Sequence, residues 1–234
     1  MTQADPNVHR IEVVARALGD LRDELVLVGG CAVGLLIDSP TAPPPRVTYD
    51  VDLIAEAAAI HAYHALEESL AARGFVRDRS ADAPICRWVI GAVKLDLVPT
   101  TDAVLGFSNR WYPEAMQSSR RCALPSGIHI NLISPPAFIA TKFEAFDTRG
   151  GGDMLSSHDF EDIINMFEGC SSLVSDIDAA SPPLREYLVK RISAILGDQR
   201  IGNILPGLIA QDELHQQRTA AVRERLFRVA ALLR

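Results

Sequence analysis

The chain has 234 residues, 48% of them hydrophobic and 23% charged, with a formal net charge of −7. That is enough for one large domain or two small ones with a sizeable core, and the acidic balance argues against a protein coated in nucleic acid. No apolar run reaches the roughly 18 residues of a membrane span; Met1–Pro6 lacks the features of a secretory signal, and Cys31, Cys86, Cys122 and Cys170 form no Cys-x-x-Cys, so a cytoplasmic protein with no membrane partner and core-filling thiols is expected.

In chain order, the spacing predicts a helix over Asn7–Leu18 and a strand over Leu25–Val28. The strand runs into Gly29-Gly30, and an apolar helical stretch follows. Glycine lets backbone approach a ligand, and N–H groups at a helix N-terminus attract phosphate. A tight turn that binds nothing is the competing reading. Neither Gly-x-Gly-x-x-Gly nor a Walker Gly-Lys-Ser/Thr is present, which disfavours a dinucleotide-binding fold. The proline-rich stretch 39–45 is a stiff loop, unfit for a helix or a central strand. It delivers Arg46 and Thr48 to the next strand.

That strand is Thr48-Tyr49-Asp50-Val51-Asp52-Leu53. Successive strand residues alternate faces, so Asp50 and Asp52 share one. Asp96, in Val93-Lys94-Leu95-Asp96-Leu97-Val98, is a third carboxylate in an apolar run. Burying carboxylates is costly without compensation. Three of them on neighbouring strands would make an oxygen cage suited to Mg²⁺ and a phosphate-bearing substrate. The plainer reading has Asp50 ending a loop, Asp52 capping a turn and Asp96 pairing with an arginine.

Between these strands a helix is expected over Ala57–Arg73, ended by Gly74, then strands over Phe75–Val76, Arg87–Ile90 and Val93–Val98, with a hairpin at Gly91-Ala92. Arg110, Trp111, Tyr112, Arg120 and Arg121 mark an irregular cationic region before a strand over Ile128–Ile133. Ser134-Pro135-Pro136 changes the pattern, because serine before proline is a good helix start. From there helices are expected over Ala137–Thr148, Ser157–Phe167, Pro182–Leu196 and Asp212–Leu233. Two domains follow, 1–133 mixed α/β and 134–234 helical.

In the first of these helices Lys142 and Arg149 lie within about 20° of each other at the edge of the apolar face, so both should look into a cleft. In the next, Asp159 borders the inward face. Snorkelling cations and a first-turn acid are the plainer readings. The linker Gly150-Gly151-Gly152 reads as mobile. In the last helix Arg218 and Arg225 share a side, either as a solvated flank or as a surface for polynucleotide phosphates.

Taken together, Gly29-Gly30, Arg46-x-Thr48-x-Asp50-Val51-Asp52, Asp96, Lys142-Phe143-Glu144-Ala145-Phe146-x-x-Arg149 and Asp159-Phe160-x-Asp162-Ile163 resemble the AbiEii/AbiGii nucleotidyltransferases. These are abortive-infection and toxin–antitoxin proteins related to the MenT toxins. The likeness covers residues 24–168, and the remainder matches only as helical. It implies an α+β fold: a polymerase-β-like nucleotidyltransferase core with a mixed β-sheet, followed by a C-terminal helical domain. It also implies an NTP donor, Mg²⁺, a hydroxyl acceptor such as a tRNA 3′ end, and a cognate antitoxin. Carried over by residue, Asp50, Asp52 and Asp96 would hold metal and act in catalysis. Gly29, Gly30, Arg46, Thr48, Lys142, Arg149 and Asp159 would bind the nucleotide or activate the acceptor. Many nucleotidyltransferases have Gly-Ser where this chain has Gly30-Cys31, and cysteine is a poor phosphate partner. An inactive module of the same fold, or an enzyme acting on an antibiotic, are the alternatives.

Overall fold

The computed structural model describes residues 5–149 and 152–233. Two compact units form: Pro45–Ser134 with the described residues up to Gly34, and Leu35–Pro44 with the described residues from Pro135 onward. Leu35–Pro44, which the sequence reading keeps in the first domain, therefore groups with the helices.

The first unit is built on a mixed seven-stranded sheet whose strands, numbered along the chain, lie in the spatial order third, fourth, fifth, second, first, seventh, sixth. Helix α1 (Val8–Leu18) precedes β1 (Leu25–Val28), whose four residues are all buried. A single 3-10 turn over Gly30–Ala32 and a four-residue α2 (Val33–Leu36) follow β1. The expected apolar helical stretch after the glycines is thus a 3-10 turn continued by one turn of α-helix, ending at Leu36. Next come β2 (Asp50–Ala55), α3 (Ile60–Ala72), β3 (Val76–Arg77), β4 (Arg87–Ile90) and β5 (Val93–Pro99). Gly91, at φ +58°, turns the β4–β5 hairpin. Two short helices, α4 (Asp102–Leu105) and α5 (Tyr112–Gln117), lead to β6 (Arg120–Ala123) and β7 (His129–Leu132). The cationic stretch expected to be irregular is therefore partly an edge strand, where charge discourages further pairing.

β2 lies between antiparallel β1 and parallel β5. The apolar face of α1, with buried Ile11, Val14 and Leu18, packs beside Leu25, Leu27, Val51 and Leu53. Val51 and Leu53 alternate with Asp50 and Asp52, so this leaves the carboxylates on the opposite face.

The second unit contains α6 (Pro135–Arg149), α7 (His158–Gly169), α8 (Leu173–Asp178), α9 (Pro182–Gly197), α10 (Ile201–Leu208) and α11 (His215–Ala230). Ser157 caps α7, its hydroxyl accepting from the Phe160 N–H at 3.3 Å. Helix α10 contains Pro206 between two glycines, which hid it from the sequence reading. Leu35–Pro44 is stitched to this unit: the N–H groups of Asp38 and Ser39 donate to the Gly169 carbonyl, and Ser171 donates to Asp38. Gly150 and Gly151 of the proposed mobile linker lie outside the described residues. Among the described residues no helix is long and apolar enough to cross a membrane.

Candidate active site

Strand register brings the three aspartates together. Asp52 on β2 pairs with Asp96 on β5, and Val28 on β1 pairs with Asp52 from the other side. Gly29 therefore follows directly beside Asp52. A Cβ built on Gly29 would stand 1.9 Å from Asp52 Oδ2, and Gly29 has φ +68° with ψ −169°, a conformation nearly confined to glycine. Both facts require glycine there. At Gly30 a Cβ would meet Thr48 Cγ2 at 2.6 Å and Arg46 Nη2 at 2.9 Å. The guanidinium of Arg46 thus lies over the Gly-Gly turn.

Two residues absent from the sequence reading complete this region. Asn7, fully buried, donates through Nδ2 to the Arg46 carbonyl at 2.9 Å and accepts from the Thr48 N–H at 2.9 Å. It fixes the backbone that carries Arg46 and Thr48. In sequence it reads only as a helix start. Arg87, the first residue of β4, is in register with Asp96. Its Nε donates to Asp96 Oδ1, and its Nη2 to both Asp96 Oδ2 and Asp50 Oδ2, each at 2.7 Å. Hydrogen bonding to Asp96 raises the arginine pKa further above its ordinary value. The plainer reading, in which Asp96 pairs with an arginine, is what the side chains adopt.

Cys31 turns inward. Its Sγ lies 2.7 Å from Thr48 Oγ1 and donates to the Asp50 carbonyl at 3.0 Å. Burial pushes the thiol pKa up to about 12, so it stays neutral. Thr48 is buried, with its hydroxyl among Cys31 and Asn7.

All three proposed metal ligands are carboxylates, the donor type Mg²⁺ takes. Among the described residues, however, no group of three Asp, Glu, His or Cys side chains is arranged to hold a metal ion. The Arg87 guanidinium stands against Asp50 and Asp96 instead.

In the helical unit Lys142 is buried, and its Nζ contacts Asp159 Oδ1 at 3.1 Å and Asp162 Oδ2 at 2.6 Å. Burial alone would lower its pKa, but Asp162 and Asp159 outweigh that and raise it. Asp162 was quoted in the sequence pattern without a role. Arg149 is the last residue of α6, and its side chain lies outside the described residues. Of the C-terminal arginines, Arg223 and Arg228 are exposed, whereas Arg218 and Arg225 are not a solvated flank. Arg218 is buried against Glu168 and Asp212 and donates to the Thr41 and Ala210 carbonyls, and Arg225 donates to the carbonyls of Phe167 and Glu168. The sequence misplaced them because it cannot say which helix end α11 passes.

A family model described as "Nucleotidyl transferase AbiEii toxin, Type IV TA system" matches residues 13–230. The chain belongs to the AbiEii nucleotidyltransferase family. The AbiEii match extends well past residue 168, so the helical unit is part of the family's own extent. The expected α+β fold with a mixed sheet and a helical C-terminal part holds for this AbiEii protein, and it is a nucleotidyltransferase of a toxin–antitoxin family. Several solved structures are distantly similar, the following two among them. The antibiotic-resistance factor ANT(2'')-Ia has 20% identity and a TM-score of 0.49, covering 81% of this chain and 95% of its own. JHP933 from Helicobacter pylori has 11% identity and a TM-score of 0.45, covering 97% and 93%. No curated protein matches the chain.

Proposed function

We propose that this AbiEii protein transfers a nucleoside monophosphate from an NTP to the 3′-hydroxyl of an RNA, a tRNA end being the acceptor the family resemblance suggests, with Asp50, Asp52 and Asp96 as the ligands of Mg²⁺. The observation that carries the site is the fit of Gly29 against Asp52, which sets a side-chain-free backbone beside a carboxylate in register with another. A phosphate chain can approach backbone only where no Cβ intrudes.

In the reaction, the acceptor oxygen bonds to the α-phosphorus and the bond to the β-phosphate breaks, releasing pyrophosphate. Asp96 takes up the hydroxyl proton. Arg46, above the glycine turn, neutralises phosphate charge where a Gly-Ser hydroxyl would otherwise donate. Thr48 acts at one remove, holding the segment between Arg46 and Asp50 in place. When bound, Mg²⁺ supplies charge neutralisation at the phosphates. Lys142, Arg149 and Asp159 are assigned to the nucleotide on the resemblance alone. The Lys142 ammonium would have to release one carboxylate to meet a phosphate, and Asp159, the less buried partner, is the one it would leave.

The test is incubation with each α-labelled NTP, Mg²⁺ and total cellular RNA, resolved on a gel, for the wild type and Asp52→Asn. Label should move onto RNA, and Asp52→Asn should cut transfer by roughly 10²–10³-fold while the protein still folds. Unchanged transfer by Asp52→Asn would remove Asp52 from the site. Transfer only to small molecules would replace the acceptor.

A further inference from the structure

The reaction as derived gives Arg87 no part, although it makes the shortest contacts to two of the three aspartates. We propose that Arg87 is a displaceable internal cation, holding Asp50 and Asp96 in the metal-free protein and leaving them when a divalent ion binds. This rests on the reading of Asp50, Asp52 and Asp96 as metal ligands.

Three observations support it. The first is position. One nitrogen, Nη2, is 2.7 Å from both Asp50 Oδ2 and Asp96 Oδ2. A Mg²⁺ ion bound to those two oxygens at about 2.1 Å would fall in the same space. Guanidinium and ion cannot both occupy it.

The second is charge. Two of the three carboxylates, Asp50 and Asp96, meet the Arg87 guanidinium in the register of β4, β5 and β2. Arginine cannot lose its proton at any working pH, so the conflict with an incoming cation is relieved only by movement. Once a divalent ion neutralises Asp50 and Asp96, Arg87 loses the attraction that holds it.

The third is access. The side chains of Arg87 and Asp50 are 16% and 35% exposed, so the guanidinium has a route to water. The neighbouring stretch Ser80–Ile85 is largely exposed, and Arg87 opens its strand rather than sitting inside it. Arg87 thereby sets the metal affinity of the site.

Two measurements on the full chain test this. Mn²⁺ binding, followed by electron paramagnetic resonance, is compared in wild type, Arg87→Gln and Asp52→Asn. Removing the competing charge should tighten Mn²⁺ binding by roughly tenfold or more, since like charges a few ångströms apart repel strongly at a half-buried site. In the wild type, the Nε–H resonance of Arg87 should move toward that of a free arginine as Mg²⁺ is added. This second measurement needs no variant, and so decides the matter if Arg87→Gln does not fold.

Equal or weaker Mn²⁺ binding by a folded Arg87→Gln would overturn the proposal. So would an Arg87 resonance that stays put while metal binds. If the wild type binds Mn²⁺, Asp52→Asn does not, and Arg87→Gln matches wild type, the metal site stands and only the role of Arg87 falls. If no protein binds Mn²⁺, both fall.

Discussion

Each unit has a cation held by two carboxylates, and the two clusters differ in how far they are sealed. In the helical unit Lys142 and Asp162 have side chains only 8% and 1% exposed. In the sheet unit Asp50, with more than a third of its side chain exposed, opens the Arg87 cluster to water. Burial decides what such a cluster can do. A sealed pair that loses one partner leaves a charge with nowhere to go. A half-open one can exchange a protein cation for a dissolved one. Similar ion-pair chemistry thus serves as a fixed joint in one unit and as an exchangeable contact in the other.

Lys142→Met should show the largest effect. It strands Asp162 without its cation, and an unfolding free energy lower by about 3–5 kcal/mol is expected from urea titration. Arg87→Gln should cost far less, because water can reach the carboxylates it abandons. If the two variants prove equally stable, the contrast between the clusters is wrong.

Gly29→Ala comes next and sharpens the sheet side. Its positive φ together with the overlap on Asp52 should cost about 1–3 kcal/mol and push the carboxylate aside. Transfer activity per folded molecule should fall as well, measured beside a melting curve. A drop in melting temperature with full activity would separate the glycine from the chemistry.

The smallest effect is a pH limb. Burial pushes the pKa of Cys31 and of Cys86 up from 9.0 to about 12. Both are raised in the fold, so their stabilisation is complete below about pH 9 and lost as pH climbs toward 12. In that window the unfolded chain binds fewer protons than the native one, and stability falls with pH. Asp52 and Asp50 contribute to the Cys31 shift by repelling a thiolate. Denaturant midpoints from pH 8 to 11 should decline, less steeply for Cys31→Ser. An equally steep decline in that variant would remove Cys31 from the account.

Much of the fold is legible in the sequence because short apolar runs are bounded by breakers. The strands Leu25–Val28 and Arg87–Ile90 are found to the residue, one ended by Gly29 and the other by the Gly91 hairpin. Period-two alternation put Asp50 and Asp52 on one face, and the observed burial agrees. What stayed hidden depends on register between distant segments. Arg87 looks like any arginine at a strand end until β4 is laid on β5 and β5 on β2. Asn7 looks like a helix start, yet its side chain reaches 39 residues along the chain to Arg46. The edge strand at Arg120 escaped because two adjacent arginines carry no apolar period. The contacts of Arg218 and Arg225 in α11 escaped because helical spacing gives a face but not the neighbour it meets.

The excursion of Leu35–Pro44 into the helical unit has a consequence for modularity. Among the described residues the backbone passes between the units three times, so no single break yields two whole halves. A fragment ending at Ser134 would carry a ten-residue arm without the Gly169 carbonyl that receives its N–H groups. A fragment beginning at Pro135 would leave that carbonyl without its donors and Arg218 without the Thr41 carbonyl, though still beside Glu168, Asp212 and the Ala210 carbonyl. Exchanging one unit for another protein's would take two grafts, not one. Such a chain is suited to gain or lose its helical part only together with the segment that follows its glycine turn.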